Sequence, residues 1–322
     1  MPSCAVLSFR EPDDFAASIR AARTEMTVTG GGPFIAGVVD INLNRMWMQR
    51  FTETVARVTH SIHACGQAVI SFRTQPGPPL FWAGVEMQPS CIMRHGEGQD
   101  GFQRSTGPAG WGVVSLPIEA ALSAEAATVG CDLAPPRQTQ TVIPPAAAME
   151  RLQHLHAAIA RAMEDMPESL DNPAAVHGME QSLMEAMVVC LGEANTQTDT
   201  LALQHQTVIM HRFRRALERH RDQPVYIPEL CAEIGVSDRA LRACCREQLG
   251  MGPHRYLLLR RMHLARRALL GSAPTQTTVT DIATRFGFWQ FGRFAQEYKT
   301  LFGEVPSATL GREAPEKQRW RN

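Results

Sequence analysis

At 322 residues, 44% of them hydrophobic and 20% charged, the chain has an ordinary globular composition and is long enough for two domains, each with a core of its own. No run of about eighteen apolar residues occurs, and the opening MPSCAVLSFREPDD lacks a charged head followed by an apolar segment, so neither a membrane span nor a leader is expected and the cytoplasm is the expected location. The formal net charge of zero conceals a division: residues 1–209 hold 12 Lys+Arg against 21 Asp+Glu, residues 210–322 hold 20 against 11, and the two parts sit at −9 and +9. A basic half suits a phosphate backbone, and on charge alone it suits a membrane surface or an acidic protein equally.

In chain order, residues 1–130 read as β-rich. Phe34–Val39, Ala68–Phe72, Leu80–Val85 and Trp111–Leu116 are apolar runs bounded by Gly, Pro and Asn, the pattern of short strands. A proline-rich stretch with Pro135, Pro136, Pro144 and Pro145 closes this region. Helical periodicity follows: Met149, Leu152, Leu155, Ile159 and Met163 share one face, and Met179, Leu183 and Met187 share another. Two readings of these helices stay open, a homodimer seam or packing on their own β domain. The polar segment Asn195–Thr200 reads as a linker. From Leu203 onward the chain reads as all-helical and basic, beginning with the stripe Ile209, Phe213, Leu217.

The C-terminal part contains a repeat. IPELCAEIGV at 227–236 matches VTDIATRFGF at 279–288 in character, with a period of 52 residues; one insertion later, Leu241 meets Phe294, Gly250 meets Gly303 and Pro253 meets Pro306. In the first copy Pro228 suits the first turn of a helix, Gly235 the left-handed residue that ends it, and Ser237 the cap of the next. Helix, glycine turn and second helix make a helix-turn-helix, whose second helix enters the major groove of DNA. Small residues at Cys231 and Ala283 suit close approach of the two helices. Pro253–Leu270 reads as one connecting helix with Leu258, Met262, Ala265 and Leu269 on its apolar side, about 27 Å long at about 1.5 Å per residue. With the width of the flanking units this approaches the ~34 Å between successive major-groove openings.

At these residues the sequence resembles the AraC/XylS family of bacterial regulators, over residues 203–311. The second unit, DIATRFGFWQFGRFAQEYKTLFGEVP at 281–306, carries the family's Gly-Phe turn, aromatic-rich helix and FG-x-x-P closure. The resemblance implies a seven-helix module bound to double-stranded DNA, transcription activation through contact with RNA polymerase, and an N-terminal domain for effector binding or dimerisation. It implies reading helices at Asp238–Gln248 and Gln290–Phe302. The expected DNA-binding residues are Ser237, Arg239, Arg242, Ala243 and Arg246 on the first, and Gln290, Phe291, Gly292, Arg293, Gln296 and Lys299 on the second. Arg239 and Arg242 suit the O6 and N7 of guanine, Gln296 adenine and Phe291 a thymine methyl, while Lys299 suits a phosphate. Phe291 has a second reading as core beside Phe288, Phe294 and Tyr298. Gly292 suggests close approach of a backbone.

The expected fold class is α+β: a β-rich, barrel-like domain with helices, then an all-α domain with two helix-turn-helix units. Its division is a sensor or dimerisation domain over 1–192, a linker over 193–202, the DNA-binding domain over 203–311 and a basic tail over 312–322. The size and β character of residues 1–130 motivate a small-molecule effector. The eight cysteines include no CxxC pair, and His60, His63 and Cys65 lack a metal-site spacing, so no metal or cofactor is expected. Vicinal Cys244 and Cys245 read as small core residues, with a redox sensor as the alternative. Gly30–Pro33 reads as a turn. No nucleophile elbow, kinase signature or carboxylate pair marks an enzyme, and the N-terminal cysteine cluster of an alkyl-repair protein is missing. The competing reading is an interaction protein whose basic half binds RNA polymerase or another acidic partner without reading bases.

Overall fold

The computed structural model describes residues 1–20, 22–121, 134–192, 195–197, 201–220 and 224–312. β1 (Ser3–Phe9) leads through the short helix α1 (Pro12–Ala17) to β2 (Ala22–Val28), β3 (Ala36–Asn42), β4 (Trp47–Glu53) and β5 (Arg57–His63). Next come β6 (Gln67–Arg73), β7 (Leu80–Trp82), β8 (Val85–Glu86), β9 (Ile92–His95), β10 (Asp100–Ser105) and β11 (Ala109–Pro117). After α2 (Ile118–Ala121) and β12 (Gln140–Ile143) the helices α3 (Ala146–Asp165) and α4 (Pro173–Gly192) lead to β13 (Asn195–Gln197). The remainder is helical: α5 (Leu201–Arg219), α6 (Ile227–Ile234), α7 (Asp238–Leu249), α8 (Pro253–Leu270), α9 (Val279–Arg285), α10 (Phe291–Phe302) and α11 (Pro306–Leu310).

The N-terminal strands form two antiparallel sheets, ordered β1-β3-β4-β11-β6-β9-β12-β13 and β2-β5-β10-β7-β8. The expected α+β class holds, and the β-rich part is built of these two sheets. Between the layers lies a fully buried ion pair: Arg57 donates to both oxygens of Glu53 at 2.8 Å and to Gln103 Oε1 at 2.6 Å, while Trp111 Nε1 donates to Glu53 at 2.7 Å. Every partner is satisfied, which is what makes a charge tolerable there.

Three sequence expectations change. The run Leu80–Val85 is not one strand: Trp82 pairs with Val85 around Ala83 and Gly84, both at positive φ, a two-residue hairpin turn whose hand matches the strand twist. Of the 193–202 linker, residues 193–194 and 198–200 lie outside the described residues, while Asn195–Gln197 pair with β12 and α5 begins at Leu201. Of the 312–322 tail, residues 313–322 lie outside them as well. Third, the two parts do not have separate cores. The apolar faces of α3 and α4 do pack on their own sheet, with Met149, Leu152, Ile159, Met163, Leu183 and Met187 buried among Val39, Ile70, Phe72 and Val114. The other two clusters cross between the parts: Val58 and Phe102 of the five-stranded sheet join Phe213, Leu230, Leu241 and Tyr256. Phe15, Met26, Val28 and Phe34 likewise join Met262, Leu269, Phe286, Phe294 and Tyr298. Among the described residues, no helix is long and apolar enough to cross a membrane.

Polar contacts reinforce this dock. Asp100 on β10 accepts from His60 at 3.2 Å, from His211 of α5 at 2.9 Å and pairs with Arg214 at 3.0 Å. Burial alone would raise its carboxyl pKa, but the bonds from His60 and His211 hold it well below the carboxylate range. On α8, Arg267 pairs with Asp13, and buried Arg266 donates to Glu11 at 2.8 and 3.0 Å, to Glu304 at 2.7 Å and to Tyr298 Oη at 3.2 Å. Arg312 also pairs with Glu11 and Glu304, at 2.8 and 2.6 Å, so Arg266→Ala should leave both carboxylates to that more exposed arginine and lower unfolding stability by about 1–3 kcal/mol, read from urea midpoints; a loss within experimental error would show that the dock does not need this arginine.

His263, also on α8, donates from Nε2 to the Val28 carbonyl at 3.2 Å. Burial lowers its pKa to about 4, against the pull of that carbonyl. An unfolded histidine near 6.5 takes up its proton first, so this stability is whole above about pH 6.5 and falls as pH drops toward 4, by about 1.4 kcal/mol per unit. His263→Gln should shallow the stability curve over that window. An unchanged slope would mean the proton goes elsewhere.

Candidate nucleic-acid interface

Each half of the helical part builds the same unit from local chemistry. In the first, Pro228 opens α6, Glu229 accepts the Tyr226 N–H at 3.4 Å, and Gly235 ends the helix at φ +72°, its N–H on the Cys231 carbonyl at 3.0 Å. Ser237 caps α7 by accepting the Ala240 N–H at 3.2 Å. In the second, Thr278 and Asp281 exchange reciprocal cap bonds at 3.0 and 3.1 Å, and Gly287 makes the turn at φ +75°. Only a residue without Cβ takes these left-handed turns without strain.

The two second helices are strongly two-sided. On α7, Leu241, Cys244, Cys245 and Leu249 are buried, while Ser237, Arg239, Arg242, Ala243 and Arg246 are exposed. On α10, Phe294, Tyr298 and Leu301 are buried, while Gln290, Phe291, Gly292, Arg293, Gln296 and Lys299 are exposed. Every expected contact residue is thus exposed, and the helices start and end within two residues of expectation. Phe291 is 42% exposed and does not join the core of Phe288, Phe294 and Tyr298. At Gly292 a Cβ would meet no atom of the described chain within 4 Å, so no backbone of this protein approaches it. Cys244 and Cys245 are buried, and burial pushes both thiols up, away from the reactive thiolate.

Arg242 is held by its own helix. Its Nε and Nη2 donate to the two oxygens of Asp238 at 2.9 and 2.7 Å. This side-on pair uses Nε and one Nη2 proton and leaves Nη1 and the second Nη2 proton, the edge that suits a bidentate acceptor. Arg293 is braced likewise, its Nε on Glu297 at 2.9 Å.

The β part grips both helices by their C-terminal ends. A Cβ on Gly31 would lie 2.7 Å from the Thr300 carbonyl oxygen, so a bare glycine lets the 30–33 loop abut α10. Next to it a cleft of about 420 Å³ runs between Thr29, Gly31, α8 and α10, with Arg255 and Gln296 on its walls. At the other head, Arg104 lies against Gly250 and Glu247 against Gly84. The N-terminal ends, where helix-turn-helix proteins read bases, are left open. Trp289, 72% exposed at the mouth of the second unit, was absent from the expected contact set although its place next to the Gly-Phe turn marks it.

A family model described as a helix-turn-helix domain matches residues 230–312. The chain is 44% identical over 94 residues, 29% of its length, to the probable thc operon regulatory protein of Rhodococcus erythropolis, and 34% identical over 109 residues, 34% of its length, to XylDLEGF operon transcriptional activator 1 of Pseudomonas putida. These matches span 28% and 32% of the relatives' own lengths. The crystal structure of the AraC-like transcriptional activator CuxR aligns with 87% of this chain and 100% of its own at 15% identity, with a TM-score of 0.38. Two capped helix-turn-helix units, the matched domain model and these relatives agree: the C-terminal part of this chain is an AraC/XylS-type helix-turn-helix domain.

Proposed function

We propose that the protein is a sequence-specific DNA-binding regulator that activates transcription by placing α7 and α10 in successive major grooves of one duplex. The observation that carries this reading is the pairing of two helices with exposed faces on one shared frame. The 18-residue helix α8 joins them, and the β part holds the far end of each. Arg239 and Arg242 supply guanine contacts from the first head, Gln296 an adenine contact from the second, and Lys299 a phosphate contact. As an activator the protein meets RNA polymerase at the promoter. In gel shifts with competitor DNA, a specific complex should persist and weaken steeply as salt rises; binding that competitor abolishes would favour the partner-binding alternative. Within that complex Arg242→Ala should cost about 1–3 kcal/mol and relax preference at one base pair, whereas Lys299→Ala should weaken all sequences and lower the salt slope by about one. Equal weakening on every sequence would move Arg242 to the backbone.

Effector control belongs to the same proposal, and a cleft of about 310 Å³ between the β part and α5 supports it. Trp82, Met93, Gln99, Gln138 and Thr141 line one side and Thr207 the other. Asp100 lines the cleft and also holds His211 and Arg214, so an occupant there meets the carboxylate that ties α5 to the sheet. A small polar metabolite that raises the Tm of the full chain, and fails to do so with Gln99→Trp, is the expected result of a thermal-shift panel. A panel with no shift removes the effector from the reading.

A further inference from the structure

Trp289 and Phe291 stand two residues apart at the open end of α10, 72% and 42% exposed. The exposed residues Gln290 and Gly292 interleave with them, and the space in front of Gly292 is empty of protein. Folding has left these rings in water although the aromatic core of Phe288, Phe294 and Tyr298 lies immediately behind. Exposed aromatic side chains beside exposed cations mark a contact surface, and here Arg285 and Arg293 are exposed within a few residues of the two rings. The complementary partner is therefore anionic with an apolar feature within reach. In the major groove that feature is the thymine C5-methyl group, the one apolar group on a base edge.

The first head has none of this. With the one-residue insertion of the repeat, Phe291 corresponds to Asp238, Gly292 to Arg239, Ala295 to Arg242 and Lys299 to Arg246. We propose that Trp289 and Phe291 read thymine methyls, so that the two heads recognise chemically different half-sites, guanine-bearing under α7 and thymine-bearing under α10. This rests on the DNA-reading function proposed above and adds the specificity of the second head.

Deoxyuridine, which pairs as thymine does but lacks the methyl, tests it. Duplexes enriched by the full chain from a randomised pool are resynthesised with deoxyuridine at single thymine positions, and the second half-site is the one that Arg242→Ala does not relax. The wild-type chain should lose about fourfold in affinity per critical methyl removed, the worth of one buried methyl. The double variant Trp289→Ala/Phe291→Ala should bind thymine and uracil duplexes alike there while keeping the guanine preference of the first half-site. Because the uracil arm uses the unaltered chain, a poorly folded variant leaves the test intact. Enrichment followed by indifference of the wild type to uracil throughout the second half-site overturns the aromatic reading and spares DNA recognition. Methyl sensitivity and affinity unchanged in the double variant hand the edge to a protein partner and overturn it too. A pool that yields no enriched sequence overturns both proposals.

Discussion

Glu53 and Arg57 face each other with no exposed surface at the point where the chain passes from the eight-stranded to the five-stranded sheet. Neither charge is tolerable there alone, and Gln103, Thr59 and Trp111 complete their hydrogen bonds from both layers. The crossover is thereby held in one geometry. Everything the five-stranded sheet carries on its outer side inherits that geometry, including Val58 and Phe102, on which the first head is seated.

Because the apolar clusters of both heads continue into the sheet, neither head can reorient without exposing core. The dock is also charged: Asp100 with His211 and Arg214 secures α5, and Arg266 and Arg267 with Glu11 and Asp13 secure α8. These contacts lie behind or at the C-terminal ends of the reading helices. The open faces are left with side chains whose bonds are local, such as Arg242 on Asp238 and Arg293 on Glu297, which orient a guanidinium without occupying all its donors.

Legibility differed between the two parts for a physical reason. Caps, glycine turns and 3.6-residue periodicity are written within a few consecutive residues, so Ser237, Gly235 and the span Pro253–Leu270 could be read directly. A strand announces itself by alternation only when one of its faces is wet. β5, RVTHSIH, is buried at all but one position, its polar residues absorbed by partners such as Glu53 and Asp100, and its sequence carries no alternation to detect. The hairpin at Ala83–Gly84 was hidden for a related reason: a positive φ at alanine is imposed by the strands it joins.

The amino-acid sequence by itself determined the duplicated helix-turn-helix, its capping and the open faces of α7 and α10, since each follows from neighbours along one helix. Tertiary structure alone decided that the parts share their cores and that Asp100 meets His211 and Arg214. Those outcomes depend on which surfaces meet across more than a hundred residues of chain, and no local spacing encodes that.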